Sequence, residues 1–283
     1  MESESVILNG KLFPVEDAHI SIQSRAIAYG DGCFTTLKSY QNRFLHFTQH
    51  VERLNNGLQY LGINLQLDAN EILSQVRLLL SKNKQTNCEA VVRIQCFRKG
   101  GRGYFNISDE GEYIISSSKF TESEQNVELS TVPVRAIPNE CLARQFKLSN
   151  SINYIKAAQQ AKAKGAHDGL MWTINDDISE TTISNIFWIK GDTVYTPSED
   201  CDLLPGISRS IVLQLLEDDR SLSIEEGKYS STHLLHADAV FCTNSVRELY
   251  EVHKIDSSEF TLNHPVFVKI NNAFQNYKTQ HIK

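Results

Sequence analysis

The stretch of this chain that most strongly indicates its fold is residues 180–209, ETTISNIFWIKGDTVYTPSEDCDLLPGISR. Two runs of β-branched and aromatic residues, 186–189 and 193–196, lie on either side of a Gly-Asp pair at 191–192. Such runs around a tight polar turn are typical of a β-hairpin. The stretch therefore predicts a buried hairpin, with the carboxylate of Glu180 a few residues ahead of its first strand.

A predicted helix follows the hairpin and begins close to a glycine. The apolar residues within 210–216 suit a helix, for which Ser208 is the expected N-cap. Gly206, just before this helix, lets backbone N–H groups converge on one point. Those N–H groups and the positive end of the helix dipole attract anions. The sequence therefore predicts a phosphate site at this helix start.

The composition is that of an ordinary globular protein. Of 283 residues, 41% are hydrophobic and 22% are charged, and the net charge of -6 argues against a general affinity for nucleic acid or anionic membranes. No apolar stretch reaches the length of a membrane span, and the N-terminal sequence has no basic segment followed by an apolar one. We therefore expect a cytoplasmic protein, in which the six scattered cysteines are reduced thiols.

Several common kinds of site are excluded by their missing residues. The pair His233-x-x-His236 has no third ligand nearby, so no metal site is expected. Gly30-x-Gly32 lacks the third glycine of a dinucleotide loop and precedes a strand pattern. The chain also contains no G-x-S-x-G elbow and no G-x-x-x-x-G-K loop.

The remaining periodicity predicts an alternation of strands and helices. A short hairpin is expected around Asn9-Gly10. Further strands are predicted at 89–98, 113–115, 132–136, 169–174 and 239–243. Helices are predicted at 47–62, 69–81, from 150 or 151 to 165, and at 264–283, the last of them on the surface.

The order of an acidic residue, a hairpin and a glycine-led helix resembles the signature of the fold-type IV (class IV) pyridoxal-phosphate enzymes. These include the branched-chain and D-amino acid aminotransferases and aminodeoxychorismate lyase. The matching positions are Glu180, Asn185, Ile186-Phe187, Thr196 and Pro205-Gly206-Ile207-Ser208-Arg209. The resemblance implies an α/β (α+β) fold of two domains with the cofactor between them, and a homodimer.

The polar, aperiodic residues 117–126 are the predicted linker between the two domains. Residues 1–116 then form a small N-terminal α/β domain, and residues 127–283 form a larger C-terminal domain that binds pyridoxal phosphate.

A lysine is needed for the aldimine that holds this cofactor. In the family it precedes a K-x-x-N helix start some thirty residues before the signature Glu, and Lys147 matches that position. Lys156 is the rival, but its neighbours Ala157 and Ala158 place it in mid-helix, where a lysine is usually solvated. The amine must be neutral to attack and then to accept the Cα proton of a substrate. Glu180 would pair with the pyridinium nitrogen.

Several residues are implied as anchors of the cofactor phosphate. An isolated helical arginine is usually solvated or paired, but His50-x-x-Arg53-Leu54 matches a family motif whose arginine contacts the phosphate. Strand-end hydroxyls are commonly just turn formers. The implied anchors are Arg53, the backbone at Gly206, Ile207 and Ser208, and the turn at Asn244 and Ser245.

Two segments resemble aminodeoxychorismate lyase more than an aminotransferase: Gly30-Asp31-Gly32-Cys33-Phe34-Thr35-Thr36 and Gly100-Gly101-Arg102-Gly103-Tyr104. The hydroxyl of Thr35 or Thr36 could assist proton transfer. The glycines by themselves only permit positive φ in a loop. Beside mobile glycines, guanidinium groups suit recognition of a carboxylate, which makes Arg98, Arg102 and Tyr104 candidates for substrate binding.

The predicted function is therefore that of a lyase, which converts 4-amino-4-deoxychorismate to pyruvate and 4-aminobenzoate, a folate precursor. Residues 244–249 lack the Pro-Val that often follows the turn in both groups, and Arg247 lies near the predicted phosphate site. A branched-chain or D-amino acid aminotransferase therefore remains the alternative. A cofactor-binding protein without turnover is the third hypothesis.

Overall fold

A computed structural model describes residues 4–105, 107–122 and 126–283. Its contacts divide the chain into two units. The first comprises Met1–Thr121, Phe146–Asn150 and His281–Lys283, and the second comprises Glu122–Gln145 and Ser151–Gln280. The predicted mixture of helices and strands is confirmed in both units.

The first unit is built on one antiparallel sheet. Its strands are β1 (Ser5–Leu8), β2 (Lys11–Pro14), β3 (Gly32–Tyr40), β4 (Arg43–Phe44), β5 (Glu89–Arg98) and β6 (Gly111–Lys119). Its helices are α1 (Arg25–Tyr29), α2 (Phe47–Leu61) and α3 (Ala69–Lys82). The strand order is β2-β1-β6-β5-β3-β4. The predicted hairpin at Asn9-Gly10 is confirmed, because these residues have φ 49 and φ 78 and join β1 to β2.

Helix α2 covers one face of this sheet. Val51, Leu54 and Leu58 form its apolar stripe and are buried, and the helix ends at Gly62, whose φ is 64. The helix predicted at 47–62 is therefore confirmed. The packing of α2 against β3 fixes how deeply Arg53 and the other polar residues of α2 that face the strand lie within the unit.

The second unit is built on a nine-stranded mixed sheet. Its strands are β7 (Asn126–Arg135), β8 (Asp168–Trp172), β9 (Ile178–Thr181), β10 (Asn185–Lys190), β11 (Thr193–Pro197), β12 (Ser223–Gly227), β13 (Ala239–Asn244), β14 (Glu248–Ile255) and β15 (Ser258–Glu259). Its helices are α4 (Ile152–Ala163), α5 (Ile207–Asp218), α6 (Ser231–Leu235) and α7 (Pro265–His281). Eight strands follow the order β12-β11-β10-β13-β14-β7-β8-β9, and β15 pairs with β14.

The central hairpin of the sequence is confirmed. Strands β10 and β11 pair antiparallel, with Trp188 opposite Tyr195, and the turn contains Gly191 at φ 59. The next strand, β13, covers the other edge of β10. Because Trp188 is fully buried, the hairpin lies in the core of its unit.

The predicted N-cap of the next helix was wrong. Helix α5 begins at Ile207, and Gly206 is its N-cap, with φ -74 and ψ 141. Ser208 lies inside the first turn and is buried, and no side chain caps the helix. The helix starts two residues earlier than predicted. Gly206 takes the N-cap position with its extended backbone alone, in place of the predicted serine side-chain cap.

The region between the units differs in detail from the predicted linker. Strand β6 extends to Lys119 and β7 begins at Asn126, so residues at both ends of 117–126 are in strands. Residues 123–125 of that predicted linker lie outside the described residues. The predicted C-terminal domain also included Lys147, whereas Phe146–Asn150 belong with the first unit. The division into folding domains at 1–116 and 127–283 stays a prediction.

The last helix, α7, begins at the predicted Pro265. It is not wholly on the surface, since Val266, Phe267, Ile270 and Phe274 are buried. None of the helices in the described ranges is long and apolar enough to cross a membrane.

Candidate cofactor site

Lys147 is held against strand β3 by its backbone. The N–H of Phe34 donates to the carbonyl of Lys147 at 2.9 Å, and the N–H of Ser149 donates to the carbonyl of Gly32 at 2.9 Å. The ammonium of Lys147 lies 5.0 Å from the ring centroid of Phe34. By contrast, Lys156 is exposed on α4 in the second unit. These positions favour Lys147 as the cofactor lysine, because its backbone is fixed and its side chain is only partly exposed.

Arg53 lies in a buried polar cluster of the first unit. Its Nη2 donates to Thr35 Oγ1 at 2.8 Å, and that hydroxyl lies 2.7 Å from His50 Nδ1. Burial lowers the pKa of Arg53 to about 10, so the guanidinium is still charged at neutral pH. Its Nε is buried and has no hydrogen-bond partner among the described residues. A buried, charged donor without a partner is costly, which indicates a place for an anion.

Thr35, expected to act in catalysis, lies at the centre of this cluster. Its side chain is fully buried, and its hydroxyl already contacts Arg53 and His50. Burial, followed by the nearby Arg53, holds the pKa of His50 well below 6.5, so the imidazole is neutral. A hydroxyl engaged on both sides is poorly suited to pass a proton to a substrate. The hydroxyl is thus engaged within the protein, and a part for Thr35 in catalysis stays a prediction.

Arg93 was missed by the sequence analysis. Its guanidinium carbon lies 3.8 Å from the centroid of the Phe34 ring, the same ring that faces Lys147. Burial lowers the pKa of Arg93, and its Nε contacts Gln95 Oε1 at 3.4 Å. Alternation along β5 could have found it, because Val92 and Ile94 are buried whereas Arg93 and Gln95 face the half-exposed side.

Arg98, expected to bind substrate, has instead a structural role. Its Nε donates to Asp31 at 2.9 Å, and Nη1 donates to the carbonyls of Gly62 at 3.0 Å and Ser108 at 2.8 Å. Its Nη2 donates to the carbonyl of Leu61. These bonds occupy both N–H groups of Nη1, the Nε–H and one N–H of Nη2, so the guanidinium presents no open fork. The assignment of Arg98 to the substrate is corrected accordingly.

We expect Arg98→Met to destabilise the first unit by about 3 kcal/mol, because it leaves buried carbonyls and the carboxylate of Asp31 without a donor. Urea unfolding measures the change. Lys99→Met is the matched control, since its ion pair with Glu110 is exposed, and its midpoint should hardly move. Equal midpoints for the two variants would contradict the structural role of Arg98.

Arg102 and Tyr104 lie in an exposed loop of the first unit. Arg25 holds this loop through the carbonyls of Gly101 at 3.2 Å and Gly103 at 2.7 Å. Tyr104 is 78% exposed, and its ring lies 5.7 Å from that of Tyr29. The loop is thus anchored at its backbone and presents its side chains outward. Their binding of substrate stays a prediction.

Glu180 lies in a buried polar cluster of the second unit. Its Oε1 accepts a hydrogen bond from the hydroxyl of Tyr154 at 2.6 Å and lies 3.7 Å from Nη2 of Arg144. Its Oε2 accepts from the N–H of Leu204 at 3.1 Å and from Asn185 Nδ2 at 3.5 Å. Arg144 and Tyr154 were missed because they lie far from the signature in sequence. The arrangement orients the carboxylate, and an oriented carboxylate is what a pyridinium N–H needs.

Asn185 joins the hairpin to the start of α5. Its Nδ2 donates to the carbonyl of Leu204 at 2.8 Å. A Cβ added to Gly206 would lie 2.2 Å from Asn185 Oδ1, so only glycine fits here. The first backbone bond of the helix runs from Ser210 N–H to Gly206 O at 2.9 Å. The N–H groups of residues 207–209 therefore have no intrahelical acceptor and suit an anion.

The turn after β13 is shaped by Asn244. Its Oδ1 accepts from the N–H groups of Val246 at 2.9 Å and Arg247 at 2.8 Å, and its Nδ2 donates to Ser184 Oγ at 2.8 Å. The side chain of Asn244 thus folds the turn, and the contact of this residue with phosphate stays a prediction. Ser245 stays a predicted anchor.

The residues present fit pyridoxal phosphate. The cofactor supplies an aldehyde that bonds a lysine amine and a ring that withdraws electrons from the bound substrate. Its phosphate needs donors: in the first unit the buried Nε of Arg53 is a donor of this kind, and in the second unit the N–H groups of residues 207–209 are such donors. Its ring nitrogen needs a carboxylate, which Glu180 offers.

Comparison with known proteins agrees with this chemistry. A family model described as amino-transferase class IV matches residues 32–255. The chain is 28% identical to the aminodeoxychorismate lyase of Vibrio harveyi over 88% of this chain and 92% of the relative. It is 27% identical to the D-alanine aminotransferase of Bacillus licheniformis over 89% of this chain and 88% of the relative.

The fold has a close counterpart among solved structures. The branched-chain aminotransferase of Thermoproteus uzoniensis superimposes with a TM-score of 0.91 at 21% identity, covering 99% of both chains. This likeness confirms the predicted fold class. Together with the family match over most of the sequence, it shows that the chain belongs to the class IV aminotransferase family and is a pyridoxal-phosphate-dependent enzyme.

Proposed function

We propose that this enzyme is an aminodeoxychorismate lyase, which converts 4-amino-4-deoxychorismate to 4-aminobenzoate and pyruvate. The observation that carries the proposal is Arg93, whose guanidinium shares the ring of Phe34 with the ammonium of Lys147. A cation over the same ring as the reactive lysine suits a substrate with a carboxylate in addition to the reacting centre. Aminodeoxychorismate has two carboxylates and is such a substrate.

The chain's own groups account for the proton movements of this reaction. Lys147 Nζ, once released by the substrate amine, accepts the proton from the carbon that bears the amino group. The bond between the ring carbon and the ether oxygen would then break, the ring would become aromatic, and the departing enolpyruvate would take the proton from the Lys147 ammonium at its methylene carbon to become pyruvate. Glu180 would face the ring nitrogen of the cofactor and stabilise positive charge there.

The remaining residues would bind and orient. Arg53, the backbone at Gly206, Ile207 and Ser208, and the turn at Asn244 and Ser245 are the proposed phosphate anchors. Arg102 and Tyr104 are proposed to approach the substrate from the exposed loop. The relative from Vibrio harveyi supports the lyase assignment, and synthesis of a folate precursor in the cytoplasm is the setting that we propose.

The alternative is an aminotransferase for branched-chain or D-amino acids, which the relative from Bacillus licheniformis favours. An amino donor alone would convert the cofactor of an aminotransferase to its amino form in one half-reaction. We therefore propose to mix the loaded enzyme with leucine, D-alanine or aminodeoxychorismate and to follow the cofactor absorbance. A lyase releases 4-aminobenzoate while its absorbance returns to the starting spectrum. Stoichiometric conversion by leucine or D-alanine, without 4-aminobenzoate from the third substrate, would reject it.

Replacement of Arg93 tests the carboxylate contact. We expect Arg93→Met to raise KM for aminodeoxychorismate about tenfold or more, because a charged hydrogen bond to the substrate is lost. The affinity for pyridoxal phosphate should not change. Arg43→Met, an exposed arginine of the same sheet, is the control. An unchanged KM would remove Arg93 from the substrate site.

We also propose that the enzyme is a homodimer. Apolar side chains are exposed on α1 and in the loop of Tyr104, whose ring lies 5.7 Å from that of Tyr29; they include Ile27 at 62% and Phe105 at 96% exposed. Monomeric proteins rarely leave such groups uncovered.

Phe105→Ser should therefore raise the dimer dissociation constant by about tenfold or more, since large aromatic residues dominate such contacts. Sedimentation across a concentration series measures it. Ile174→Ser, at an equally apolar exposed site of the second unit, should leave the constant unchanged. A wild-type protein that is monomeric at all concentrations would contradict the proposal.

A further inference from the structure

Three side chains of the first unit, two of them buried and the third partly buried, form one hydrogen-bonded chain. Arg53 Nη2 lies 2.8 Å from Thr35 Oγ1, which lies 2.7 Å from His50 Nδ1. Thr35 is in β3, and the other two residues are three positions apart on α2, so they share a face of that helix. Thr35 is 0% and His50 is 2% exposed. Thr35 and His50 are thus shielded from water. Away from water, hydrogen bonds are stronger and strengthen one another.

The direction of each hydrogen bond follows from the charges. A guanidinium can only donate, so the hydroxyl of Thr35 accepts from Arg53. A neutral imidazole has one nitrogen that accepts, and the cation of Arg53 favours the tautomer whose accepting nitrogen faces it. The hydroxyl of Thr35 then donates to His50 Nδ1. Each member orients the next, from the imidazole to the guanidinium.

We propose that His50 and Thr35 are positioning residues, which hold the guanidinium of Arg53 in the orientation that binds the phosphate of pyridoxal phosphate. An arginine side chain has many rotamers, and fixing it before the ligand binds removes an entropic cost from binding. One N–H of Nη2 is held by Thr35, while the Nε remains buried and without a partner among the described residues. The inference rests on the proposed role of Arg53 as a phosphate anchor.

Comparison of two ligands isolates this role. Pyridoxal lacks the phosphate but retains the aldehyde that reacts with the lysine, so both ligands can be titrated into the apoenzyme by visible absorbance. We expect Thr35→Val to raise the Kd of pyridoxal phosphate about tenfold and to leave the Kd of pyridoxal within twofold. Thr35→Ser, which keeps the hydroxyl, should restore the affinity. Thr48→Val, an exposed threonine on α2, is the control.

His50 is tested with the same two ligands and with a matched pair of replacements. Asparagine places an oxygen near the position of Nδ1 and can still accept from Thr35, whereas leucine has a similar branch and cannot. We expect His50→Leu to weaken pyridoxal phosphate severalfold and His50→Asn to weaken it less. Equal losses with both replacements, or equal losses for both ligands, would overturn the proposal.

A double-mutant cycle separates this inference from the assignment of Arg53. Arg53→Met alone should weaken pyridoxal phosphate and not pyridoxal; if it weakens neither, the phosphate anchor itself is misassigned and the positioning role fails with it. If Arg53→Met behaves as expected, Thr35→Val should have less than a twofold further effect in that background. A tenfold effect that persists without Arg53 would show that Thr35 acts by another route. None of these titrations uses a substrate, so they stand whether or not the lyase assignment holds.

Discussion

Replacement of Lys147 by alanine is expected to abolish the visible absorbance of bound pyridoxal phosphate and to lower turnover by about 10⁴-fold. The lysine is both the group that bonds the cofactor and the base that moves the substrate proton, so its loss removes two contributions at once. Lys147 has the position for this, since its backbone is bonded to β3 and its ammonium lies over Phe34. Absorbance spectra and steady-state rates measure the effect.

Lys156→Ala is the matched control, because Lys156 is an exposed lysine on α4. It should keep both the spectrum and the rate. Borohydride reduction of the loaded wild-type enzyme, followed by peptide mass spectrometry, identifies the modified lysine directly. Label on Lys156, with retained absorbance in Lys147→Ala, would transfer the role to Lys156.

Replacement of Glu180 by glutamine should lower kcat by about 10²- to 10³-fold, because a neutral amide cannot keep the ring nitrogen of the cofactor protonated. The carboxylate is held by Tyr154 at 2.6 Å and by the N–H of Leu204 at 3.1 Å, so an amide of similar shape can occupy its place. We expect pyridoxal phosphate to bind still, since Lys147 and the phosphate anchors are intact. The measurement is kcat at saturating cofactor, with the occupancy checked by absorbance.

Glu199→Gln, at an exposed site of the same unit, controls for the loss of one negative charge. A kcat that falls by less than threefold in Glu180→Gln, at full cofactor occupancy, would show that this carboxylate does not act on the ring.

The hairpin and the helices were predictable because their signals are local. The runs of apolar residues around Gly191 and the stripe on α2 depend only on periodicity and turn chemistry. The N-cap of α5 was not predictable, because a serine and a glycine two residues apart both suit a helix start. The choice of Gly206 is explained only by the position of Asn185, whose amide oxygen leaves no room for a Cβ.

The arginines of β5 show why a site is harder to predict than a fold. Arg93 and Arg98 are five residues apart, and both look suited to a carboxylate. Only the structure shows that Arg98 turns into the unit to bind the carbonyls at the C-terminal end of α2, whereas Arg93 lies over the ring of Phe34. The position of a residue along a strand predicts which face of the sheet its side chain lies on, but not which groups that side chain contacts.

The measurement that most directly tests the central proposal is the stoichiometry of products from aminodeoxychorismate. The purified enzyme, loaded with pyridoxal phosphate, is incubated with this substrate while 4-aminobenzoate and pyruvate are followed together. The proposal predicts equimolar formation of both, lost in Lys147→Ala. Absence of both products from a protein that carries the lysine-bound cofactor would contradict the lyase function and leave an aminotransferase as the function to test.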